Sequence, residues 1–301
     1  MRLVRCLLIA AALLAMLWLV PSEHALAETR PIPLDLEVMP KVNEDYYTSD
    51  THYEDPSLTV DIQFGRAYDT DYLVARVTIA DPTQLRSYIS KATMYASRMA
   101  KRVNAVIAIT GDNYRDNLNY DNRMHVRRQG KEIYVRNWPE DAWHDFLLVD
   151  SSGDFHIIRY PTRADVDACL AQYDIVNTFC FGPALWADGE RLEAPTGTRA
   201  TRVGWGNKAQ RLCFCQTGPG EYMIVACGGP DNPNCAGLTG AEFMEVIDSE
   251  GDPICAYNLD GGNSAWVVFR GEKINLFGRR PSQGLREIND IIYFASAWSD
   301  E

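Results

Sequence analysis

Residues 257–269 read "YNLDGGNSAWVVF". An apolar run reaches Asp260, then come Gly261, Gly262, Asn263 and Ser264, and a second apolar run begins at Ala265. This reads as strand, tight turn, strand. Glycine relaxes into backbone that other residues resist, so such a turn can hold one carboxylate where two strands nearly meet. Similar punctuation ends three other apolar runs: Gly111-Asp112-Asn113 after "NAVIAIT", Phe181-Gly182-Pro183, and Gly228-Gly229 after "EYMIVAC". Each taken alone is a turn signal. Four such ends in one domain could bring backbone amides and carboxylates to one ligand.

Outward from these ends the chain is mostly strand. "LTVDIQF" alternates from Leu58, and "YLVARVTIA" follows it. Hairpins are predicted about Gly130, Gly153 and Gly271, and at the dipeptide Asp188-Gly189. "RLCFCQ" and "EYMIVACGG" flank a Gly-Pro-Gly turn, "PICAYNLD" leads into the opening stretch, and "DIIYFAS" closes the chain. Helices are fewer. Asp81-Pro82-Thr83-Gln84 offers a cap and a first-turn proline for a helix toward Ser90. Residues 162–173 carry a helical pattern, and Thr239-Gly240-Ala241-Glu242 is a capping box for a helix through about Asp248, with Gly251 at its end. Strands outnumber helices and do not alternate with them. The expected class is therefore α+β: a mixed, strand-rich single domain with a few helices packed on the sheet, not a doubly wound parallel sheet.

The chain has 301 residues, of which 46% are hydrophobic, enough for a sizeable core. Its formal net charge of −12 argues against a nucleic-acid partner, because no basic excess exists to neutralise a polyanion. A single phosphate group needs only a local arginine or a few amides and stays open. Arg2 and Arg5 precede an apolar run to Val20, and Ala25 and Ala27 form a small-x-small ending. Residues 1–27 are thus predicted to be a secretory signal, with an uncleaved anchor as the alternative. The expected setting is extracellular, cell-surface or periplasmic, with no membrane span beyond that segment. Residues 28–57, rich in proline, acids and tyrosine, read as an extended leader, and 58–301 as the domain.

Seven cysteines follow the signal, an odd number, and in an oxidising compartment some should pair as disulfides. Cys213-Phe214-Cys215 lacks zinc-knuckle spacing, and His52, His125, His144 and His156 show no metal-ligand pattern. No metal or other cofactor is expected. No G-x-S-x-G elbow and no phosphate-cradling Walker loop is present.

Five segments in order, "AITGDNY", "FGPALWADGE", "GLTGAEFMEVI", "YNLDGGNSAWVVFRGEKIN" and "REINDIIYF", resemble the phosphodiester glycosidase family over roughly residues 58–297. The resemblance implies a hydrolase that cleaves between a sugar's anomeric carbon and a phosphodiester phosphate. Its substrates would be sugar-phosphodiesters, such as those of cell-surface or exopolysaccharide glycans. Asp260 and Asp112 match the family's carboxylates, and carboxylates can stabilise an oxocarbenium-like state or activate water. Arg286 lies at the family's late arginine position. Arg199 and Arg202 both stand near the position of a second arginine, and either could grip phosphate oxygens. Asn113, Asn258 and Ser264 are polar neighbours for sugar or phosphate, or else turn-stabilising side chains. Gly182, Gly228, Gly261 and Gly262 could present amides, and Thr239 opens a helix whose N-terminus favours an anion. Asn263 replaces the family's third glycine, and Ala265 stands where a small hydroxyl residue is usual. Two other functions fit the same residues. One is a binding protein that retains a glycan or phospho-sugar without turnover. The other is a metal-dependent phosphodiesterase ligated by Asp112 and Asp260.

Overall fold

The chain enters its first sheet earlier than the alternation at Leu58 suggests. β1 (Tyr47–Ser49) pairs with β2 (His52–Asp55), and β2 pairs with β3 (Leu58–Ala67), all antiparallel. Tyr53 is fully buried, and its hydroxyl donates to Asp55 at 2.6 Å. Asp55 in turn accepts from the amides of Ser57 and Leu58 at 2.7 and 2.9 Å. Within the segment read as a leader, Tyr47 and Tyr53 pack into the core and Asp55 caps the turn into β3. The computed structural model describes residues 42–112, 125–135, 144–280 and 285–298, apart from the side chains of Tyr134, Val135 and Arg202. The segment predicted to be a signal lies outside the described residues.

β3 forms a ten-residue hairpin with β4 (Thr70–Ile79). Asp81 then caps as its sequence requires, accepting from the Thr83 amide at 2.9 Å while Gln84 reaches back to the Asp81 amide at 3.0 Å. Yet only a 3-10 turn, Pro82–Gln84, forms before β5 (Leu85–Met94) begins. The helix expected toward Ser90 is a strand. Gln84 is buried and donates to the Ala295 carbonyl at 3.0 Å, and β5 pairs along β19 (Ile288–Phe294), so tertiary pairing overrides the local cap.

α1 (Ala96–Arg102) follows with no side-chain cap, and β6 (Ile107–Thr110) is buried on both faces. β7 (His125–Arg128) and β8 (Lys131–Val135) turn through Gln129 and Gly130, both at positive φ. β9 (Phe146–Asp150) and β10 (Phe155–Ile158) form the hairpin about Gly153. Thr162 caps α2 (Arg163–Gln172), and β11 (Ile175–Phe179) returns to β9. β12 (Ala184–Ala187) and β13 (Glu190–Arg191) flank Asp188-Gly189, and α3 (Gly197–Arg202) follows. The remaining elements are β14 (Leu212–Gly218), β15 (Glu221–Cys227), α4 (Gly240–Glu250), β16 (Cys255–Leu259), β17 (Val267–Phe269) and β18 (Glu272–Lys273).

Nine strands form one sheet in the order β1-β2-β3-β4-β15-β14-β16-β12-β13, and five form another, β18-β17-β6-β19-β5. β10-β9-β11 make a third sheet, and β7-β8 a separate hairpin. The main core lies between the two large sheets: Phe214 and Tyr222 from one meet Ile109, Val267 and Phe294 from the other. The period of two along β14 divides its side chains. Leu212 and Phe214 enter this core, while Cys213 and Cys215 face the opposite way, under Phe243, Val246 and Ile247 of α4. α1 covers the outer face of the five-stranded sheet, and α2 packs on the third sheet. Burying each large apolar side chain contributes roughly 1.5–3 kcal/mol. The class is α+β, as the pattern of segments implied.

No disulfide joins the seven cysteines among the described residues, so the expected bridges are not seen. Cys213 and Cys215 project side by side from one strand with their sulfurs 3.6 Å apart. Burial pushes the Cys215 thiol well up and the Cys227 thiol up to about 12, so these behave as small apolar side chains. No helix among the described residues is long and apolar enough to cross a membrane.

Candidate functional site

β6 runs out of the five-stranded sheet into Gly111 and Asp112. The Asp112 carboxylate is buried and accepts from the Cys180 amide, at 3.1 Å through Oδ1. Arg128 Nη2 lies 3.5 Å from its Oδ2 but only 2.7 Å from Asp290 Oδ2, which also accepts from the Asp112 amide at 3.1 Å. A Cβ on residue 111 would stand 2.9 Å from that same oxygen, so Gly111 permits the approach. Arg128 is fixed from behind, donating to the Thr178 carbonyl and lying 4.3 Å over the Phe179 ring. Two buried carboxylates thus share one guanidinium.

β16 is buried along its length, and Asp260 emerges from its end partly exposed. Gly261 and Gly229 close on the Gln210 backbone from two sides: a Cβ at either would lie 2.6 Å from Gln210 O or N. The Gly262 amide donates to Gln210 O at 2.9 Å, and its φ of 57° is open to glycine at little cost. Thr110 ties this turn to the Asp112 end. Its hydroxyl donates to Ser264 O at 2.5 Å and accepts from Trp266 N at 2.9 Å. Asn263 is held in place, its Oδ1 accepting from Arg279 Nη1 at 2.8 Å.

The third strand end joins through Asn258, whose Nδ2 donates to Gly182 O at 2.9 Å. Gly182 has φ 67° and precedes a cis proline. A Cβ on it would contact the Asp145 backbone at 3.4 Å. Asp145 is buried and accepts from Ala184 N at 2.9 Å and Arg199 Nη2 at 2.7 Å. The Arg199 guanidinium also stacks 3.5 Å from the Tyr160 ring centroid. Tyr257 OH lies 2.7 Å from Asp145 O, and burial pushes its hydroxyl far up, so it stays a donor. His144 Nδ1 donates to Phe181 O at 3.1 Å, which leaves the lone pair of the neutral ring on Nε2. Burial lowers its proton affinity, against the opposing charges of Asp112 and Asp145. His144 therefore feels both carboxylates as well as Arg199.

The structure thus brings Asp112, Gly182, Asn258, Arg199 and the 260–264 turn into one connected set of strand ends. Other sequence-predicted residues stand elsewhere or in other duties. Gly228 donates to Asp71 O at 2.8 Å, and a Cβ there would meet Cys235 Sγ at 2.6 Å, a packing role. Thr239 Oγ1 is engaged within the α4 capping box by Glu242. Arg286 is exposed and adjoins the Asp260 turn, its carbonyl accepting from Trp266 Nε1 at 2.9 Å. Asn113 and the Arg202 side chain lie outside what is described. Sequence reasoning missed Arg128, Asp290, Asp145 and His144. Asp290 carried one signal: an acid inside the apolar run "NDIIYF" is costly unless paired.

A model of the phosphodiester glycosidase family matches residues 103–295. Among solved structures, the fold is similar to the zebrafish N-acetylglucosamine-1-phosphodiester alpha-N-acetylglucosaminidase catalytic domain, auto-inhibited by its pro-peptide. That match has a TM-score of 0.61 and 14% identity and covers 82% of this chain and 86% of that one. A hypothetical protein from Synechocystis matches at TM-score 0.51 and 15% identity, over 80% of this chain but only 62% of that protein. No curated protein matches by sequence. At these identities the structural likeness is one of fold.

Proposed function

The chain belongs to the phosphodiester glycosidase family, and from that premise we propose that it hydrolyses the bond between a sugar's anomeric carbon and a phosphodiester phosphate. The observation that carries this reading is a set of buried polar atoms with no partner among the described residues. These are Arg128 Nε beside Asp112, Ser264 Oγ in the Asp260 turn and Arg199 Nε beside Asp145. Each unsatisfied group costs about 1–3 kcal/mol, which a ligand rich in acceptor oxygens would offset.

A phosphate monoester leaves readily, so strong acid assistance is unnecessary. The more useful carboxylate activates water or stabilises positive charge at the anomeric carbon. Asp260, partly exposed at its turn, suits that role. Asp112, buried against Cys180 N and Arg128, suits a fixed negative charge nearby. Arg199 and Asn258 would orient sugar or phosphate oxygens, and Gly182, Gly261 and Gly262 would let the ligand approach the backbone. The basic and apolar N-terminal stretch supports export, which would place the activity on cell-surface or exopolysaccharide material.

The test is turnover of a sugar-1-phosphodiester model compound. Wild type should release free sugar, and Asp260→Asn and Asp112→Asn should each lose roughly a hundredfold or more in kcat, the order expected for a lost charge-stabilising or acid-base group. Saturable binding with no product over long incubation would overturn the hydrolase reading and favour a binding protein.

A further inference from the structure

The β17–β18 hairpin carries one lysine, Lys273, that has no carboxylate partner among the described residues. Lys273 stands opposite Val268, which packs beneath α1. Its Nζ lies 4.4 Å from the Trp266 ring centroid and donates to the Ala265 carbonyl at 2.8 Å. That carbonyl is already shared with Asn275 Nδ2, at 3.1 Å. Among the described residues no carboxylate pairs with Lys273. Burial, and then the positive charge of Arg279, lower its proton affinity from 10.5 to about 7.

Arg279 grips the same turn two residues earlier, through Asn263 Oδ1 at 2.8 Å. Its counter-ion is Asp231, 3.2 Å from Nη2. Two cations thus bracket residues 263–265, and among the described residues the one carboxylate there, Asp231, pairs with Arg279 alone. Between their anchor points Ser264 is fully buried and keeps a hydroxyl with no protein partner. The other arginines near the strand ends are already neutralised, Arg199 by Asp145 and Arg128 by Asp290. Local charge therefore falls short of balance at Lys273 and nowhere else among these four cations.

A partly buried ammonium beside a second cation is disfavoured unless an anion sits with it. An oxyanion with several acceptor oxygens could take a proton donor from Lys273, one from Arg279 and one from the serine hydroxyl. We infer that Lys273 and Arg279 form an anion subsite beside the Asp260 turn that takes the phosphoryl oxygens of the substrate. The identity of that substrate rests on the function proposed above; the subsite itself rests on the residues just named. Lysine at 273 contributes a charge that an arginine would hold at every pH, so binding here is tuned to the neutral range.

Inorganic sulfate is the probe, because its own charge does not change between pH 6 and pH 9. Calorimetric titration of the full-length protein should give saturable binding at pH 6 that weakens roughly tenfold or more by pH 9, as Lys273 loses its proton. Lys273→Arg should keep the affinity and lose the pH dependence. Lys273→Met should weaken sulfate binding roughly tenfold at pH 6 and lower kcat/KM for a sugar-1-phosphodiester by roughly tenfold or more, with Lys273→Arg restoring most of both. Sulfate affinity that is equal in wild type and Lys273→Met, or flat with pH in wild type, overturns the subsite; the wild-type pH series alone decides this if a variant fails to fold. Sulfate binding with the expected pH profile but no hydrolysis of any sugar-1-phosphodiester would leave the subsite standing and remove the proposed function instead.

Discussion

The Thr110 hydroxyl donates to the Ser264 carbonyl at 2.5 Å and accepts from the Trp266 amide, so one side chain fastens the turn after Asp260 to the strand that delivers Asp112. Thr110→Val keeps the shape and removes both bonds, stranding a buried carbonyl and a buried amide. Unfolding in urea should show a loss of about 1–3 kcal/mol. Because the turn would loosen, kcat/KM should fall with it, and Thr110→Ser should restore most of both. Full activity in a destabilised Thr110→Val protein would show that the tie serves stability alone.

Asp290 neutralises Arg128 and positions the Asp112 amide, with all three residues buried. Removing the Asp290 charge breaks the shorter, 2.7 Å pair and leaves Arg128 only the 3.5 Å contact to Asp112, so a loss of about 1–3 kcal/mol is expected. Asp290→Asn should therefore lower the urea midpoint sharply. A midpoint within experimental error of wild type would contradict the shared-guanidinium arrangement.

Gly261 has no room for a side chain: a Cβ would stand 2.6 Å from the Gln210 carbonyl, which is backbone and cannot swing away. Gly262 faces open space and is limited only by its φ of 57°. Gly262→Ala should cost roughly 1 kcal/mol for the left-handed backbone. Gly261→Ala should cost clearly more, and thermal melts of the two variants give the order directly.

How much of this was legible in the sequence depended on how local the physics was. The turns at Gln129-Gly130 and Asp188-Gly189 are positive-φ turns, as their dipeptides imply. The Thr162 and Thr239 caps form as read. The cap at Asp81 also forms, but the strand after it is decided by pairing with residues 288–294, far along the chain. α1 was missed because its N-cap, Tyr95, makes no side-chain capping bond. Asp112 and Asp260 were visible because glycines mark strand ends. Arg128, Asp145 and Asp290 act through partners distant in sequence, so no spacing pattern announces them. The cysteine count spoke to redox compartment and not to geometry: the seven are buried as free thiols, and even the neighbouring Cys213 and Cys215, with sulfurs 3.6 Å apart, are unbridged.

His125 and His144 are both buried, and burial lowers the proton affinity of each. The unfolded chain then takes up protons near pH 6.5 that the folded chain refuses, so stability from these groups is present above pH 6.5 and is lost as pH falls below it. Melting temperature should drop between pH 7 and pH 5. A rise over that window would contradict the neutral, Nδ1-donating state assigned to His144.

The most direct measurement is hydrolysis of a sugar-1-phosphodiester in heavy-oxygen water, with mass analysis of both products, for wild type and Asp260→Asn. Attack at the anomeric carbon places the heavy oxygen in the sugar, and Asp260→Asn should abolish nearly all of that product. Label in the phosphate, or undiminished sugar release by Asp260→Asn, would contradict a glycosidase built on the Asp260 turn.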